Sequence, residues 1–431
     1  MKKKVMVLFM ALVMASAFTA CSSNSTQQTS QTEAKSSSPQ SSGSDENLKD
    51  KNENTNITTE NNSENSNSES DSNKDEIFTS RDLEQTADTS NAKTYNLSDG
   101  QNIDITEEGV YVIKGSAKNV TISVNAADDA KVQLVLDSAS VTNDSAPCIY
   151  VKNADMVFVT TASGSTNSLT VSGTFTADGD TNTDAAIFSK DDIVLNGQGT
   201  LNISSTANGV TSKDDLKITG GTISISCSAD GLEANESVAI ADGNITIKTD
   251  KDGVHVENSD DDTAGSFYMK GGKLTVTAGD DGIHAITTAT IDGGTISATS
   301  AEGIEATYIT INDGTIEINA SDDGINGAAK SSAYTPTVEF NGGTTTINMG
   351  QGDTDGVDSN GNIYINGGTI SVNAQSPFDY DGTAQKNGGT IIVNGTETDT
   401  IQNQMMGGGM GGGMRGGQMQ DGGFQQNAPM R

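Results

Sequence analysis

The chain of 431 residues contains no tryptophan, and aromatic residues of all kinds make up only 4% of it. A broad strip of coplanar rings, the usual grip on flat crystalline glycans, is hard to build from so few. Basic residues are also short: 24 Lys and Arg stand against 58 Asp and Glu, a formal charge of -34. That balance excludes a nucleic-acid binder, which needs a basic face. The three cysteines, Cys21, Cys148 and Cys227, are too few for a disulfide framework. Cys148 and Cys227 are expected to be small buried residues. Strong helix formers are sparse, while Thr, Ser, Asn, Asp, Gly and Ile dominate, which favours turn-rich β structure.

The ends of the chain differ from its middle. Lys2, Lys3 and Lys4 precede an apolar run from Val5 to Ala20, too short to span a membrane comfortably and suited to a signal peptide over 1–20. The run ends Phe18-Thr19-Ala20-Cys21, which resembles a bacterial lipobox with Phe18 where Leu is usual. Acylated Cys21 would supply two lipid chains, enough for stable anchoring. Residues 21–92 are almost all Ser, Thr, Asn, Gln, Glu, Asp and Lys, and read as a disordered tether. Residues 402–431 form a Gly/Met/Gln tract read as a disordered tail.

Between them lies a repeat. An acidic-Gly-apolar triplet recurs at Asp230-Gly231-Leu232, Asp252-Gly253-Val254, Asp281-Gly282-Ile283, Glu302-Gly303-Ile304, Asp323-Gly324-Ile325 and Asp355-Gly356-Val357, with Asn208-Gly209-Val210 as a degenerate copy. The Gly-to-Gly spacings are 22, 22, 29, 21, 21 and 32. A second marker, Gly-Gly-Thr, keeps step at Gly220, Gly293, Gly342, Gly367 and Gly388. Such a period signals a solenoid. Within each unit apolar residues alternate, as in Leu216/Ile218 followed by Ile223/Ile225, so the segments are strands with one buried face. About 22 residues hold three short strands and three turns, one coil of a parallel β-helix. Residues 93–401 are therefore expected to form an all-β solenoid domain, and its glycines to mark turns with φ above zero.

Stacking converts the repeat into ladders. The residue two after each triplet glycine should point outward, giving Thr211, Glu233, His255, His284, Glu305, Asn326 and Asp358 in one row. Glu233, His255, His284, Glu305 and Asp358 are the candidate ligand-binding residues. The acids before each glycine, Asp230, Asp252, Asp281, Glu302, Asp323 and Asp355, with Asp280 and Asp322 one step earlier, are the candidate metal ligands. Stacked carboxylates repel unless a cation intervenes, and oxygen-rich clusters suit calcium. His255 and His284 with neighbouring Glu offer an alternative transition-metal set. Two longer coils follow the row, at Glu257–Thr263 and around Gly327–Thr337, and are expected to wall a groove.

These triplets, the Asn-Gly-Gly-Thr-Ile coils, Asp355-Gly356-Val357-Asp358-Ser359-Asn360-Gly361 and the Gly-rich tail resemble a bacterial family of secreted, calcium-containing, carbohydrate-binding right-handed β-helix proteins, related in fold to pectate lyases. The resemblance covers roughly 94–400. It implies binding of plant cell-wall polysaccharide, pectic or cellulosic, without established catalysis.

The expected protein is a surface-tethered, calcium-dependent carbohydrate-binding lipoprotein, outside the cell, touching membrane only through its anchor. A calcium-dependent polyuronate lyase is the first alternative. The common lyase base is Arg, and Arg81, Arg415 and Arg431 all lie outside the repeat; Lys251, next to Asp252, is the one candidate base. Asn182-Thr183-Asp184 resembles the first polygalacturonase motif, but Gly-His-Gly and Arg-x-Lys are absent. A structural adhesin or spacer is the second alternative. Tyr268, Tyr308 and Tyr364 look scattered, with Tyr308 and Tyr364 facing solvent several coils apart. Acidic polygalacturonate is therefore expected to bind in preference to neutral glucans.

Overall fold

The computed structural model describes residues 77–351 and 354–403. The signal segment, Cys21, most of the tether and nearly all of the tail lie outside the described residues. No helix occurs among the described residues, and nearly all strand pairing is parallel. From Ile149 onward each coil gives one strand to a 12-stranded sheet and two to a 24-stranded one, while the first two coils give the latter one long strand each, Gly109–Lys118 and Lys131–Asn143. One such coil is Val254–Val256, Ser266–Met269 and Lys273–Thr277. The 24-stranded sheet is continuous because Lys131–Asn143 is long enough to pair with both Met156–Thr161 and Thr166–Val171. The chain is thus a parallel β-solenoid.

Its interior is built from stacks of like residues. Val210, Leu232, Val254, Ile283, Ile304, Ile325 and Val357 are in register and fully buried. Ile225, Ile247, Val276, Ala298, Ile318 and Ile347 form a second stack. Each Ile or Leu taken from water contributes about 1.5–3 kcal/mol, so the repeat stabilises itself coil by coil. Cys148 and Cys227 are free and buried, and burial pushes the Cys148 thiol up to about 12.

The glycines divide into two kinds. The second glycine of each Gly-Gly turn does have positive φ, as at Gly294 (88°) and Gly272 (80°). The triplet glycines are not in that region, contrary to the expectation from their turn-like sequence. They are required by proximity: a Cβ on Gly253 would lie 2.6 Å from the Gly282 carbonyl oxygen, and one on Gly282 would lie 2.5 Å from that of Gly303. The coils touch backbone to backbone there.

Residues 77–92 differ from the expected tether, because they lie against the outside of the 24-stranded sheet as a strap. Asp82 is fully buried, and its Oδ2 meets Lys217 Nζ at 3.1 Å. Thr219 donates its hydroxyl to the Asp82 carbonyl. Gln85 donates to the Thr219 carbonyl (2.9 Å) and accepts from the Gly197 amide (3.0 Å). Arg81 stands 4.7 Å over the Phe158 ring, and Phe78 meets Tyr268 at 6.1 Å. The outward positions Phe158, Val194 and Ala239 are buried on this face. Composition disguised the strap: its apolar residues are few, and a buried ion pair does much of the docking. Asp82→Asn leaves the Lys217 ammonium buried without its partner, which costs about 3–5 kcal/mol. Thermal melts should show the loss, and adding Lys217→Met should recover much of it; an unchanged melting temperature in Asp82→Asn would show that the strap contributes no stability.

Candidate functional site

The outward row exists as one continuous register on the 12-stranded sheet. Tyr150 pairs with Phe188, Phe188 with Thr211, and Thr211 with Glu233. The row continues through His255, His284, Glu305, Asn326 and Asp358. All five candidate ligand-binding residues share this line. Tyr150 and Phe188 escape a reading of the sequence because their coils lack the triplet. Their rings meet edge to face at 5.7 Å.

The insertions shelter the row. Between Glu257 and Gly265 the chain leaves the coil, and between Ala328 and Pro336 it does so again. The two loops touch: Ser331 donates its hydroxyl to the Asp262 carbonyl (2.5 Å), and the Ser332 amide donates to Asp262 Oδ2 (3.2 Å). Lys330, from the second loop, reaches Glu305 Oε1 at 3.0 Å, and Glu305 is only 5% exposed.

The middle of the row is charge-compensated. The imidazoles of His255 and His284 stack at 4.9 Å, tilted by 10°. His255 Nδ1 meets Asp252 Oδ2 at 2.7 Å, and its Nε2 lies 3.3 Å from Glu257. His284 Nδ1 lies 2.9 Å from Asp281 and 2.8 Å from Glu305. Burial opposes charge on His284, but the two carboxylates outweigh it and raise its pKa to about 10. Burial likewise disfavours a charged Asp252, but His255 and the Asp281 amide hold it below the usual carboxylate range. Towards the amino-terminal side, Glu233 accepts from Asn208 (2.5 Å) and Thr211 (2.7 Å) and pairs with Lys213 at 3.0 Å.

The acids before each glycine brace the stack as well. Oδ1 of Asp230 accepts the Asp252 amide (3.2 Å), Oδ1 of Asp252 the Asp281 amide (2.9 Å), and Oδ1 of Asp323 the Asp355 amide (3.1 Å). Three sets bring one donor atom per residue within 4.8 Å: Asp230/Asp252/His255, Asp252/Asp281/His284 and Asp281/Glu302/Glu305. Of the candidate metal ligands, Asp280, Asp322, Asp323 and Asp355 belong to none of them, and Asp280 and Asp322 sit exposed. Lys251 is exposed as well.

The carboxyl-terminal end of the row is different. Burial, then the Glu305 charge, pushes Glu302 up to about 8. Burial, then Asp323, Asp379 and Asp355, pushes Asp358 up to about 7, and burial with Asp322 and Asp355 lifts Asp323 to about 6. Among the described residues no Lys, Arg or His pairs with Asp323 or Asp358. Asn326 Nδ2 donates to Glu302 (3.0 Å), while Asn326 Oδ1 and Asp379 Oδ1 are buried without a hydrogen-bond partner. These acids raise one another's pKa, and like charges of this kind are relieved by protonation or by a cation.

A solved structure titled a polysaccharide lyase-like protein from C. thermocellum, as a gadolinium derivative, is 29% identical and covers 52% of this chain and 96% of its own, with a TM-score of 0.47. A carbohydrate-binding domain-containing protein of Acetivibrio thermocellus is 41% identical over 193 residues, 44% of this chain and 68% of the relative. A family model described as carbohydrate-binding domain-containing protein matches residues 99–356 and 303–413. With more than half its length matched, the chain belongs to the family of carbohydrate-binding domain-containing proteins.

Proposed function

We propose that this chain is a cell-surface protein that binds acidic polysaccharide along the outward row, with calcium bridging protein and ligand. In this reading the coils wind right-handed, as parallel crossovers overwhelmingly do. Cys21 carries the lipid anchor and the chain works outside the cell.

The observation that carries the reading is the acidic carboxyl-terminal end of the row, where the charges of Asp323, Asp379 and Asp355 hold the Asp358 carboxyl above its ordinary range and, among the described residues, no Lys, Arg or His pairs with Asp323 or Asp358. Asp323, Asp355, Asp358, Asp379 and Asn326 would hold the ion there. Bound calcium supplies positive charge that a sugar carboxylate can share. Lys330, the more exposed cation of this part of the row, offers its ammonium to the next uronate, and the two touching loops border the bound chain. Such a site grips charge, so a neutral ester should bind poorly.

De-esterified polygalacturonate should bind in calcium and lose roughly tenfold or more in affinity in chelator or on methyl-esterification, each charge-assisted contact being worth about 1.5–3 kcal/mol. Asp358→Asn should weaken binding similarly. Calorimetry or affinity electrophoresis measures this, and equal binding to esterified pectin would rule out calcium bridging.

A further inference from the structure

His255 and His284 are the only two histidines in the chain, and they stand in register on adjacent strands. Calcium at the carboxyl-terminal end of the row makes no use of them, because calcium takes oxygen ligands. Their geometry is specific. Val254 and Ile283, buried in the interior, turn both side chains outward, and the rings stack at 4.9 Å with 10° between their planes. In each case Nδ1 faces the acid three residues back, Asp252 at 2.7 Å from His255 and Asp281 at 2.9 Å from His284. Both rings are therefore turned the same way, and both Nε2 atoms face away from those acids.

A carboxylate that accepts from Nδ1 prepares an imidazole for a metal: it fixes the tautomer with the lone pair on Nε2, orients the ring and raises its basicity. Asp252 and Asp281 are themselves held in place. The Asp252 amide donates to Asp230 and the Asp281 amide to Asp252, and both acids are buried. A third donor atom, Glu257 Oε2, stands 3.3 Å from His255 Nε2. Glu257 opens the long loop whose Asp262 meets Ser331 and Ser332 of the other loop. The charges facing the two rings are the carboxylates of Asp230, Asp252, Glu257, Asp281 and Glu305, with Lys330 the cation paired to Glu305. That excess of negative charge suits a dication. The His255 side chain keeps 24% exposure, which leaves a way in from solvent.

We propose that His255, His284 and Glu257 form a site for one divalent transition cation of the zinc class, separate from any calcium at the carboxyl-terminal end. Imidazole nitrogen suits zinc, nickel and copper, whereas carboxylate and carbonyl oxygen suit calcium. A tilt of the stacked rings towards each other brings both Nε2 atoms to one ion, at the usual distance of about 2.0–2.1 Å. Asp252 and Asp281 are positioning residues behind the two ligands. Through Glu257 the ion ties the first long loop to two successive coils, and so clamps that loop beside the row.

The test uses the full chain, prepared without a polyhistidine tag, in mildly alkaline buffer with zinc or copper(II) as the probe. Calorimetry should show one zinc ion per chain, and an excess of calcium should not displace it. Copper(II) should show electron paramagnetic resonance splitting from two imidazole nitrogens, which in this chain can come only from His255 and His284. That measurement needs no variant. Glu257→Gln, on an exposed side chain, should weaken zinc binding roughly tenfold, and His255→Ala or His284→Ala should weaken it further. Asp252→Asn leaves both ring ligands and should lose on the order of 10–100-fold. Zinc should raise the melting temperature of the parent and not that of the double variant His255→Ala/His284→Ala. Absence of stoichiometric zinc binding, a copper signal from fewer than two imidazoles, displacement of zinc by calcium, or unchanged zinc affinity in the histidine variants would each overturn the proposal.

Discussion

In calcium-free buffer the melting temperature is expected to fall as pH rises from about 5 to about 9, because several buried acids and His284 have raised pKa values. For each such group the native state binds its proton more tightly than the unfolded chain does. Its contribution is complete below the unfolded value and is lost as pH climbs through the folded one. Those folded values are about 6 for Asp323, 7 for Asp358, 8 for Glu302 and 10 for His284. The groups facing His284 are Asp281 and Glu305, with His255 stacked on it and Lys330 bound to Glu305. Asp252 and Glu305, held low, act in the opposite sense, and their contribution is lost only in stronger acid. A tenfold difference in proton affinity between the two states is worth about 1.4 kcal/mol, so the decline should amount to several kcal/mol, or roughly 5–10 °C. Calcium binding displaces protons from its ligands and should restore most at pH 8 and least at pH 5. Asp323→Asn with Asp358→Asn should abolish most of that rescue, whereas Asp280→Asn with Asp322→Asn should leave it nearly intact. Calorimetric melts across pH with calcium or chelator measure all of this. A melting temperature that rises with pH in chelator would contradict the buried-acid account.

Gly253→Ala is expected to be among the most damaging small substitutions in the chain. Its added methyl would meet the Gly282 carbonyl oxygen at 2.6 Å as well as the Val276 side chain. Neither side can yield, because the triplet glycines of successive coils touch in the same way. Overpacking of this kind costs about 1–3 kcal/mol, and more where backbone must move, so a fall of several degrees in melting temperature should follow. Gly350→Ala, where the nearest atom would be 3.5 Å away, should be close to neutral. Equal effects of the two variants would show that the coils are free to separate.

The outward row illustrates what a repeat makes legible. Once Asp252-Gly253-Val254 and Asp281-Gly282-Ile283 are aligned, alternation alone predicts that His255 and His284 share a face, and they pair in register. Stacking parallel strands allows little freedom: a one-residue slip would put Val254 and Ile283 in water. The position of the ladder is thus local information repeated. Which acids sit close together is not, and Asp280, Asp322, Asp323 and Asp355 all fall outside the three clusters.

The sequence by itself determined the all-β solenoid, its register and the membership of the outward row, because each follows from a short period and a strand's two-residue alternation. Only the tertiary structure decided the rest. The strap over Phe158 rests on a pair, Asp82 with Lys217, separated by more than a hundred residues and invisible to any local pattern. The triplet glycines are needed for contact between coils rather than for backbone angle. Tyr268 and Tyr364, far apart along the chain, share one outward column of the 24-stranded sheet, while Tyr308 stands two residues off it. A loop absorbs extra residues without changing the strand spacing, so sequence distance and spatial distance part company wherever a coil is long.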